Sequence, residues 1–315
     1  MTSHASCINP PVADSPFDLN ADEAYLAWRE RKLAGWAANS AELMTEITDG
    51  TSLTMGEVEA IRSALECTNI AFYRLKSAET GDKAMVRTLG RRLGLERLDN
   101  NLCADDDGIT SLTVVEKRQV GEYIPYTNRP LNWHTDGYYN SLDRQIRGVI
   151  LHCVQPAKEG GGNAFLDHEI AYIQLRDENP EFIRALMAPD AMTIPPNVQN
   201  GRELRPEQPG PVFSVDPRGN LHMRYSARAK NILWKSNSTT QAAAECLLNL
   251  FQQDSPYIFR HRLEAGEGVI SNNALHCRTG FSHEGGEVSR LLYRARYFDR
   301  VASSEQEAGE RHVVS

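Results

Sequence analysis

The chain has 315 residues, 41% of them hydrophobic and 24% charged, with a formal net charge of −8 at pH 7. This composition is typical of a globular protein and allows one large domain or two small ones. Basic residues are not concentrated in any segment, which argues against nucleic acid or an anionic membrane as a partner. No apolar run reaches the roughly 18 residues of a membrane-spanning helix, and the N-terminus has no signal-peptide pattern.

The six cysteines are scattered along the chain, and no two of them form a Cys-x-x-Cys pair. Such spacing argues against a disulfide framework and against a structural zinc site, and it favours a reducing compartment. We therefore expect a cytoplasmic protein.

The domain organisation is predicted from composition. Residues 1–17 are rich in proline and serine and are expected to form a flexible arm, and residues 301–315 are polar and are expected to form a disordered tail. Residues 18–300 contain no linker, so a single domain is predicted there, with helices in its N-terminal part.

The first predicted helix covers residues 20–37. Asn20 and Glu23 form a capping-box pattern at its start. The residues that fall on one face of this helix, and are expected to point inward, are Leu26, Leu33 and Ala37.

Two further helices flank a short strand, which is predicted at residues 70–75. Thr54 and Glu57 form a second capping box, and Asp82 caps the third helix, which ends at Gly94. The residues of these two helices that are predicted to point inward are Val58, Ile61, Leu65, Met85, Val86, Leu89 and Leu93.

From about residue 110 the pattern changes to short strands separated by turn signals. Strands are predicted at residues 112–116, 119–124, 146–154, 191–194, 212–215, 221–226, 257–263, 269–272 and 290–298. Helices are predicted at residues 167–175, 180–187 and 240–251. Many strands with hairpin-like turns favour an antiparallel barrel or jelly roll with helices on its outside. The predicted fold class is therefore α+β, mainly β.

A His-x-Asp motif, His134-Thr135-Asp136, lies in a segment rich in aromatic and polar residues. On an extended segment the side chains of residues 134 and 136 point the same way, because side-chain direction repeats every two residues. With one distant histidine, such a pair can form the two-His, one-carboxylate triad that binds Fe(II) and leaves coordination positions open. His276, at the end of another predicted strand, is the candidate for the third ligand.

The last predicted strand carries arginines on one face, at positions 290, 294 and 296, and mainly apolar residues on the other. One interpretation makes the apolar face the core and leaves the three arginines in solvent. The other covers both faces and makes the arginine face an anion-binding interior. The pattern alone favours the first interpretation slightly.

The order of His134-x-Asp136, His276, Arg290 and Arg294 resembles that of the iron(II)/2-oxoglutarate dioxygenases of the taurine dioxygenase type. The middle of the chain is similar to the γ-butyrobetaine and trimethyllysine hydroxylase branch of that superfamily. The segments with this similarity are His134-Thr-Asp-Gly-Tyr, Leu151-His-Cys and Gly161-Gly-Asn-Ala-Phe-Leu-Asp167.

The resemblance implies a distorted double-stranded β-helix, which is a cupin-like jelly roll. It also implies that His134, Asp136 and His276 ligate Fe(II), and that Arg290 pairs with the distal carboxylate of the cosubstrate 2-oxoglutarate. A guanidinium suits that task because it binds a carboxylate in a bidentate way and stays charged. The third reactant would be O2, and the products of 2-oxoglutarate would be succinate and CO2.

The implied reaction is hydroxylation, or oxidative cleavage through hydroxylation, of a small polar substrate; desaturation and ring closure remain open. Because arginines lie near the site, the substrate is expected to be anionic or zwitterionic. Residues expected to contact it, by family analogy or because they flank the iron motif, are Arg294, Tyr138, Tyr139, Tyr126 and Asn132. The family also leaves a homo-oligomer open.

The sequence departs from the taurine-type pattern at Ala164, where the aligned residue of that family is a threonine that helps to hold 2-oxoglutarate. We therefore expect Arg290 to share the carboxylate with another group. The remaining histidines of interest, His152, His168, His222 and His283, are interpreted as structural. An alternative to the oxygenase is a cupin-like metal-binding protein without oxygenase activity, such as a sensor or a hydrolase, since zinc accepts the same ligands.

Overall fold

A computed structural model describes residues 15–36, 41–77, 81–100, 105, 107–114, 124–199, 201–228, 230, 232–282 and 290–302. These residues belong to two compact units. The helical unit comprises the described residues of Met1–Trp36, Tyr138–Asp143 and His168–Ser255. The sheet unit comprises the described residues of Ala37–Gly137, Arg144–Asp167 and Pro256–Ser315. The predicted arm and tail lie almost wholly outside the described residues.

The sheet unit contains two sheets. One has six strands in the order β1-β2-β15-β5-β17-β3, and the other has four in the order β14-β6-β16-β4. Their bounds are β1 Met44–Ile47, β2 Ile70–Leu75, β3 Thr110–Leu112, β4 Leu131–His134, β5 Gly148–Gln155, β6 Asn163–Leu166, β14 Ile258–His261, β15 Glu267–Ser271, β16 Leu275–Arg278 and β17 Leu291–Tyr297. Neighbouring strands are antiparallel except β1 and β2, which are parallel.

The two sheets of this unit face each other. Phe72 of β2 meets Phe165 of β6 edge to face, with ring centroids 5.5 Å apart, and it also contacts the ring of His261 in β14. The opposite face of the six-stranded sheet is covered by the helices α2, Met55–Thr68, and α3, Lys83–Arg92. The six-stranded sheet is therefore buried on both faces.

The prediction for α2 and α3 is confirmed. Thr54 and Glu57 form the capping box, Asp82 accepts a hydrogen bond from the backbone N–H of Met85, and Gly94 has a φ of +81°. The residues predicted to point inward are all buried. Their 3.6-residue spacing was a reliable guide because both helices pack against an apolar sheet face.

The prediction for α1 is partly wrong. This helix spans Asp22–Ala34 and is preceded by Ala21, which makes no side-chain cap. Leu26 is 57% exposed, whereas Tyr25 and Lys32 are buried. The Nζ of Lys32 lies 2.5 Å from a carboxylate oxygen of Glu169, so an ion pair and an aromatic ring define the packed face.

The rest of the helical unit consists of three helices and short strands. The helices are α4 His168–Glu178, α5 Pro180–Leu186 and α6 Ser238–Leu250. The strands are β7 Met192–Ile194, β8 Asn197–Gln199, β9 Arg202–Arg205, β10 Gln208–Gly210, β11 Phe213–Val215, β12 Leu221–Met223 and β13 Leu233–Trp234. The three helices agree with the predicted ones within a few residues. No described helix has the length and apolar character needed to cross a bilayer.

Several strands were missing from the prediction, including β1, β4, β6 and β16, while the predicted strand at 119–124 falls largely outside the described residues. The described fold is a mixture of helices and strands. Strand β17 is covered on both faces: Arg294 and Arg296 are buried on one, and Ala295 and Tyr297 on the other. The interpretation that left the arginines in solvent is therefore wrong.

Candidate active site

The two histidines of the predicted triad lie on neighbouring strands. Strands β4 and β16 pair in antiparallel register, and His134 is directly opposite His276. Residues opposite each other in a sheet point to the same face, so the two imidazole rings lie side by side with centroids 4.3 Å apart. Sheet pairing thus brings together two residues that are far apart in the sequence.

Asp136 follows β4 and completes the group. Its Oδ1 lies 4.0 Å from Nε2 of His134, and the candidate ligand atoms of Asp136, His134 and His276 all lie within 4.8 Å of one another. All three side chains are buried. Two nitrogens and one oxygen within this distance could hold a single metal ion.

Hydrogen bonds to the backbone orient both imidazoles. Nδ1–H of His134 donates to the carbonyl of Asn132 over 2.9 Å, and Nδ1–H of His276 donates to the carbonyl of Ala274 over 3.0 Å. These bonds leave Nε2 of each ring unprotonated, so its lone pair is available to a metal ion. Burial, together with the nearby His276 ring, lowers the pKa of His134 to about 3, and burial also lowers the pKa of His276. Both rings are therefore neutral near pH 7, the form that binds metals.

The Asp136 carboxylate is held by a guanidinium on β17. Nη1 of Arg294 donates to Oδ1 of Asp136 over 3.1 Å, while Oδ2 is buried without a hydrogen-bond partner among the described residues. Burial opposes ionisation of Asp136, but the charges of Arg294 and Arg296 outweigh it and hold the pKa of this carboxyl well below its usual range. Asp136 is thus ionised and has one oxygen uncommitted.

Asn273 fixes the backbone of Asp136 and was not identified from the sequence. Its Oδ1 accepts from the N–H of Asp136 over 2.8 Å, and its Nδ2 donates to the carbonyls of Asp136 and Ile146. The residue adopts a left-handed conformation with a φ of +53°. Asparagine tolerates that conformation well, so the Asn-Asn pair before β16 was the available signal.

Arg290 directly precedes β17 and is buried, with its guanidinium 5.0 Å from the ring centroid of Phe281. It lines a small cavity together with Gly161, Asn163 and Leu292. Burial lowers the pKa of Arg290 to about 10, so the group remains charged near pH 7. Arg290 is thus a buried cation that lies beside a small cavity.

A second buried guanidinium, that of Arg278, lies over the same Phe281 ring and was also not identified from the sequence. Its Nη2 donates to the carbonyls of Thr127 and Arg129, which anchors it. Burial and the charge of Arg290 lower the pKa of Arg278 to about 9. Two neighbouring cations make this region electropositive and suited to an anion.

Ala164 does not face this site. Phe165 is paired directly with His276, and the two rings stack with centroids 6.2 Å apart. Because successive residues of a strand point to opposite faces, Ala164 points to the other side of β6, toward its partner Cys277. The substitution of alanine for threonine at this position therefore says nothing about the cavity beside Arg290.

The residues predicted to contact substrate are placed as follows. Tyr126 is buried, and Asn132 contributes its backbone carbonyl to His134 while its side chain is exposed. Tyr138 and Tyr139 belong to the helical unit, with ring centroids 5.3 Å apart. Contact of these residues with a substrate stays a prediction. Arg294 is buried and donates to Asp136.

Two buried residues of the helical unit, Arg224 and Tyr225, make structural contacts. The guanidinium of Arg224, in the helical unit, donates to five backbone carbonyls, those of Pro211, Tyr138, Gln208, Met192 and Gly210. These bonds occupy all three of its nitrogens. Tyr225 is buried against Trp234 and Phe251.

The histidines interpreted as structural are not part of the triad. His152 is buried in β5, hydrogen-bonded to the hydroxyl of Tyr73 and stacked on its ring. His168 is hydrogen-bonded to the carbonyl of Leu221, and His222 is buried in the helical unit. His283 lies outside the described residues.

Comparison with known families gives a match over most of the chain. Residues 31–296 match the model of the family described as "Taurine catabolism dioxygenase TauD, TfdA family". The chain belongs to the TauD/TfdA family. The predicted family resemblance is thereby confirmed.

Two curated relatives of this TauD/TfdA chain are uridine-5'-phosphate dioxygenases. The one from Amycolatopsis sp is 28% identical over 181 residues, which cover 55% of this chain and 62% of the relative. The one from Streptomyces sp is 28% identical over 203 residues, which cover 62% of this chain and 71% of the relative. The match thus spans somewhat under two thirds of the first relative's length.

A solved structure with a similar fold is that of the non-heme iron oxygenase OrfP in complex with Fe, succinate and (3R,4R)-dihydroxy-L-Arg. It superposes with a TM-score of 0.59 and 15% sequence identity, over 83% of this chain and 85% of that chain. The similarity establishes that the TauD/TfdA chain has the fold of this oxygenase.

Proposed function

We propose that the protein is an Fe(II)- and 2-oxoglutarate-dependent oxygenase that hydroxylates, or oxidatively cleaves, a small polar substrate. The observation that supports this best is the convergence of His134, Asp136 and His276, with two ring nitrogens and one carboxylate oxygen uncommitted. In this proposal the two facing sheets of the sheet unit form a distorted double-stranded β-helix. The single domain over residues 18–300 and the cytoplasmic location belong to the same proposal.

The residues present fit an iron centre. His134, Asp136 and His276 would bind Fe(II) on one side, and Oδ2 of Asp136 is the carboxylate oxygen that no described group engages. When bound, iron, 2-oxoglutarate and O2 supply the oxidising chemistry, with release of succinate and CO2. The protein's own part is to orient the ligands through backbone hydrogen bonds, and to neutralise the distal carboxylate of 2-oxoglutarate with Arg290.

The substrate is proposed to be anionic or zwitterionic. Nε of Arg294 is buried without a hydrogen-bond partner among the described residues, so this guanidinium has a donor left for an anion. Tyr138, Tyr139, Tyr126 and Asn132 remain proposed contacts. Because two relatives are uridine-5'-phosphate dioxygenases, a phosphate-bearing nucleoside is the first substrate to test.

Succinate formation tests this function. The purified protein with Fe(II), 2-oxoglutarate and O2 should form succinate slowly on its own, and faster with a substrate chosen from nucleoside 5'-phosphates, amino acids, betaines and sulfonates. His134→Ala and Asp136→Ala should abolish both rates. Asp190→Ala, which removes an exposed carboxylate of the helical unit, is the matched control and should retain them. Equal rates in all four proteins would refute the proposal.

A metal-binding protein without oxygenase activity is the second candidate, because the same three ligands suit zinc. The two are separated by an anaerobic visible spectrum of the protein with Fe(II) and 2-oxoglutarate. A weak band appears when the keto acid chelates protein-bound iron, and its absence, with metal binding retained, would favour the second candidate.

A further inference from the structure

Asn163, the first residue of β6, faces the same interior as the triad. Phe165 stacks on His276, and Asn163 lies two residues before it on the same strand. Side chains two positions apart share a face, so Asn163 points to the interior and Ala164 does not. The cavity beside Arg290 is lined by Asn163, which agrees with this placement.

The amide of Asn163 has unused hydrogen-bonding capacity. The residue is only 7% exposed, and its Oδ1 has no partner among the described residues. Its Nδ2 donates to the carbonyl of Cys277 over 3.4 Å, which is long for a hydrogen bond and leaves the second amide hydrogen free. A buried polar atom without a partner is unfavourable. The second N–H of Nδ2 can donate to an acceptor in the cavity, while Oδ1 needs a donor, such as the guanidinium of Arg262 or Arg290 in the same lining.

The cavity beside this amide lacks other neutral side-chain donors among its lining residues. It is walled by apolar side chains such as Leu263 and Leu292, and its charged groups are the guanidinium groups of Arg290 and Arg262. A carboxylate offers about four lone-pair sites, of which a single guanidinium fork engages two. A neutral donor in the same cavity would engage a further lone-pair site.

Building on the proposed function, we propose that Asn163 is the second group that binds the distal carboxylate of 2-oxoglutarate. Its Nδ2–H would donate to one carboxylate oxygen while Arg290 engages the carboxylate from the other side. Rotation about χ2 of asparagine is soft, so the amide can present its nitrogen to the ligand. Asn163 would thereby supply the contact that the alignment assigned to position 164.

Binding measured without turnover tests this proposal. Calorimetric titration of the anaerobic, Mn(II)-loaded protein would compare 2-oxoglutarate with 2-oxopentanoate, which has a methyl group in place of the distal carboxylate. Asn163→Leu should weaken 2-oxoglutarate binding on the order of 10- to 100-fold, the loss expected for one hydrogen bond to a charged group. Binding of 2-oxopentanoate should change little. Ala164→Ser, on the opposite face of the strand, should leave both affinities unchanged.

Asn163→Asp has the same size and serves as a second variant should the leucine disturb folding. Its negative charge should weaken binding of 2-oxoglutarate more than binding of 2-oxopentanoate. The proposal for Asn163 is wrong if a folded variant loses affinity for both acids equally or for neither. Failure of the wild-type protein to bind 2-oxoglutarate at all would instead overturn the proposed function, so the two failures are distinguishable.

Discussion

Arg294 and Asp136 form a buried ion pair in which one carboxylate oxygen, Oδ1, accepts from the guanidinium over 3.1 Å and the other is left for a different partner. The pair couples β17 to the segment that follows β4. In the proposed iron centre, Asp136 would be one of the three ligands, and the guanidinium of Arg294 would hold its carboxylate in one orientation. A metal ion at this site and Arg294 would both interact with the negative charge of Asp136.

Arg294→Met is expected to destabilise the metal-free protein by about 3–5 kcal/mol, the usual cost of removing one partner of a buried pair. Since a divalent cation can supply the missing positive charge, Mn(II) should stabilise the variant more than it stabilises the wild type. Urea unfolding with and without Mn(II) measures both effects. Equal stabilisation of the two proteins would show that the cation and the guanidinium do not share Asp136.

Arg290→Leu is expected to weaken binding of 2-oxoglutarate to the metal-loaded protein by about 2–5 kcal/mol, because a buried carboxylate would lose its charged partner. The control is Arg260→Leu, since Arg260 is an exposed arginine of β14 that pairs with Ala164 on the far side of the strand. Anaerobic titration gives the affinities. Comparable losses in the two variants would mean that general positive charge, rather than position 290, determines binding.

The sequence predicted well those features that depend on local pattern. The capping box of Thr54 and Glu57 fixes the start of α2, and the buried face of that helix follows from apolar spacing. His276 was a candidate partner of His134 because of its place at the end of a predicted strand and because of the family resemblance. Neither segment contains a signal for the register that sets the two residues opposite each other. Sheet topology decides it, and β4 and β16 were both absent from the strand prediction.

Other features depend on contacts between distant residues and could not be read from the pattern. Helix α1 has few strongly apolar residues, so the Lys32–Glu169 pair and the ring of Tyr25 determine its packed face. The face of Ala164 was likewise not predictable, because it follows from the register of β6 with β16, in which Phe165 lies opposite His276. A shift of one residue in a strand moves a side chain to the opposite face.

Asn273 is expected to contribute to the site in two separable ways. Asn273→Gly loses the hydrogen bonds to Asp136 and Ile146 but adopts the left-handed backbone conformation easily. Asn273→Ala loses the same hydrogen bonds and also adopts that conformation poorly. Alanine should therefore be less stable than glycine here by about 1–2 kcal/mol, the cost of a left-handed conformation. Both variants should also bind Mn(II) more weakly, because the backbone of Asp136 is no longer fixed. Equal stability of the two variants would contradict the strain argument.

Glu267 in β15 is expected to make stability depend on pH in the acid range. Its side chain is buried and accepts hydrogen bonds from Arg74, from the ring of His261 and from the N–H of Glu264. Burial opposes its ionisation, but these donors prevail and lower the pKa of Glu267 below its ordinary value of 4.5. A carboxyl with a depressed pKa in the folded state stabilises the protein above its unfolded pKa.

That contribution is complete above pH 4.5 and is lost as the pH falls through the lower pKa of the folded state. In this window the unfolded chain binds a proton that the folded one excludes, and the free energy of unfolding falls by up to about 1.4 kcal/mol per pH unit for this group. Glu267→Gln should be less stable than the wild type near pH 7 and should show a shallower acid slope. Glu264→Gln, with an exposed side chain, should keep the wild-type slope in denaturant titrations. Parallel slopes for all three proteins would assign the acid sensitivity to other carboxylates.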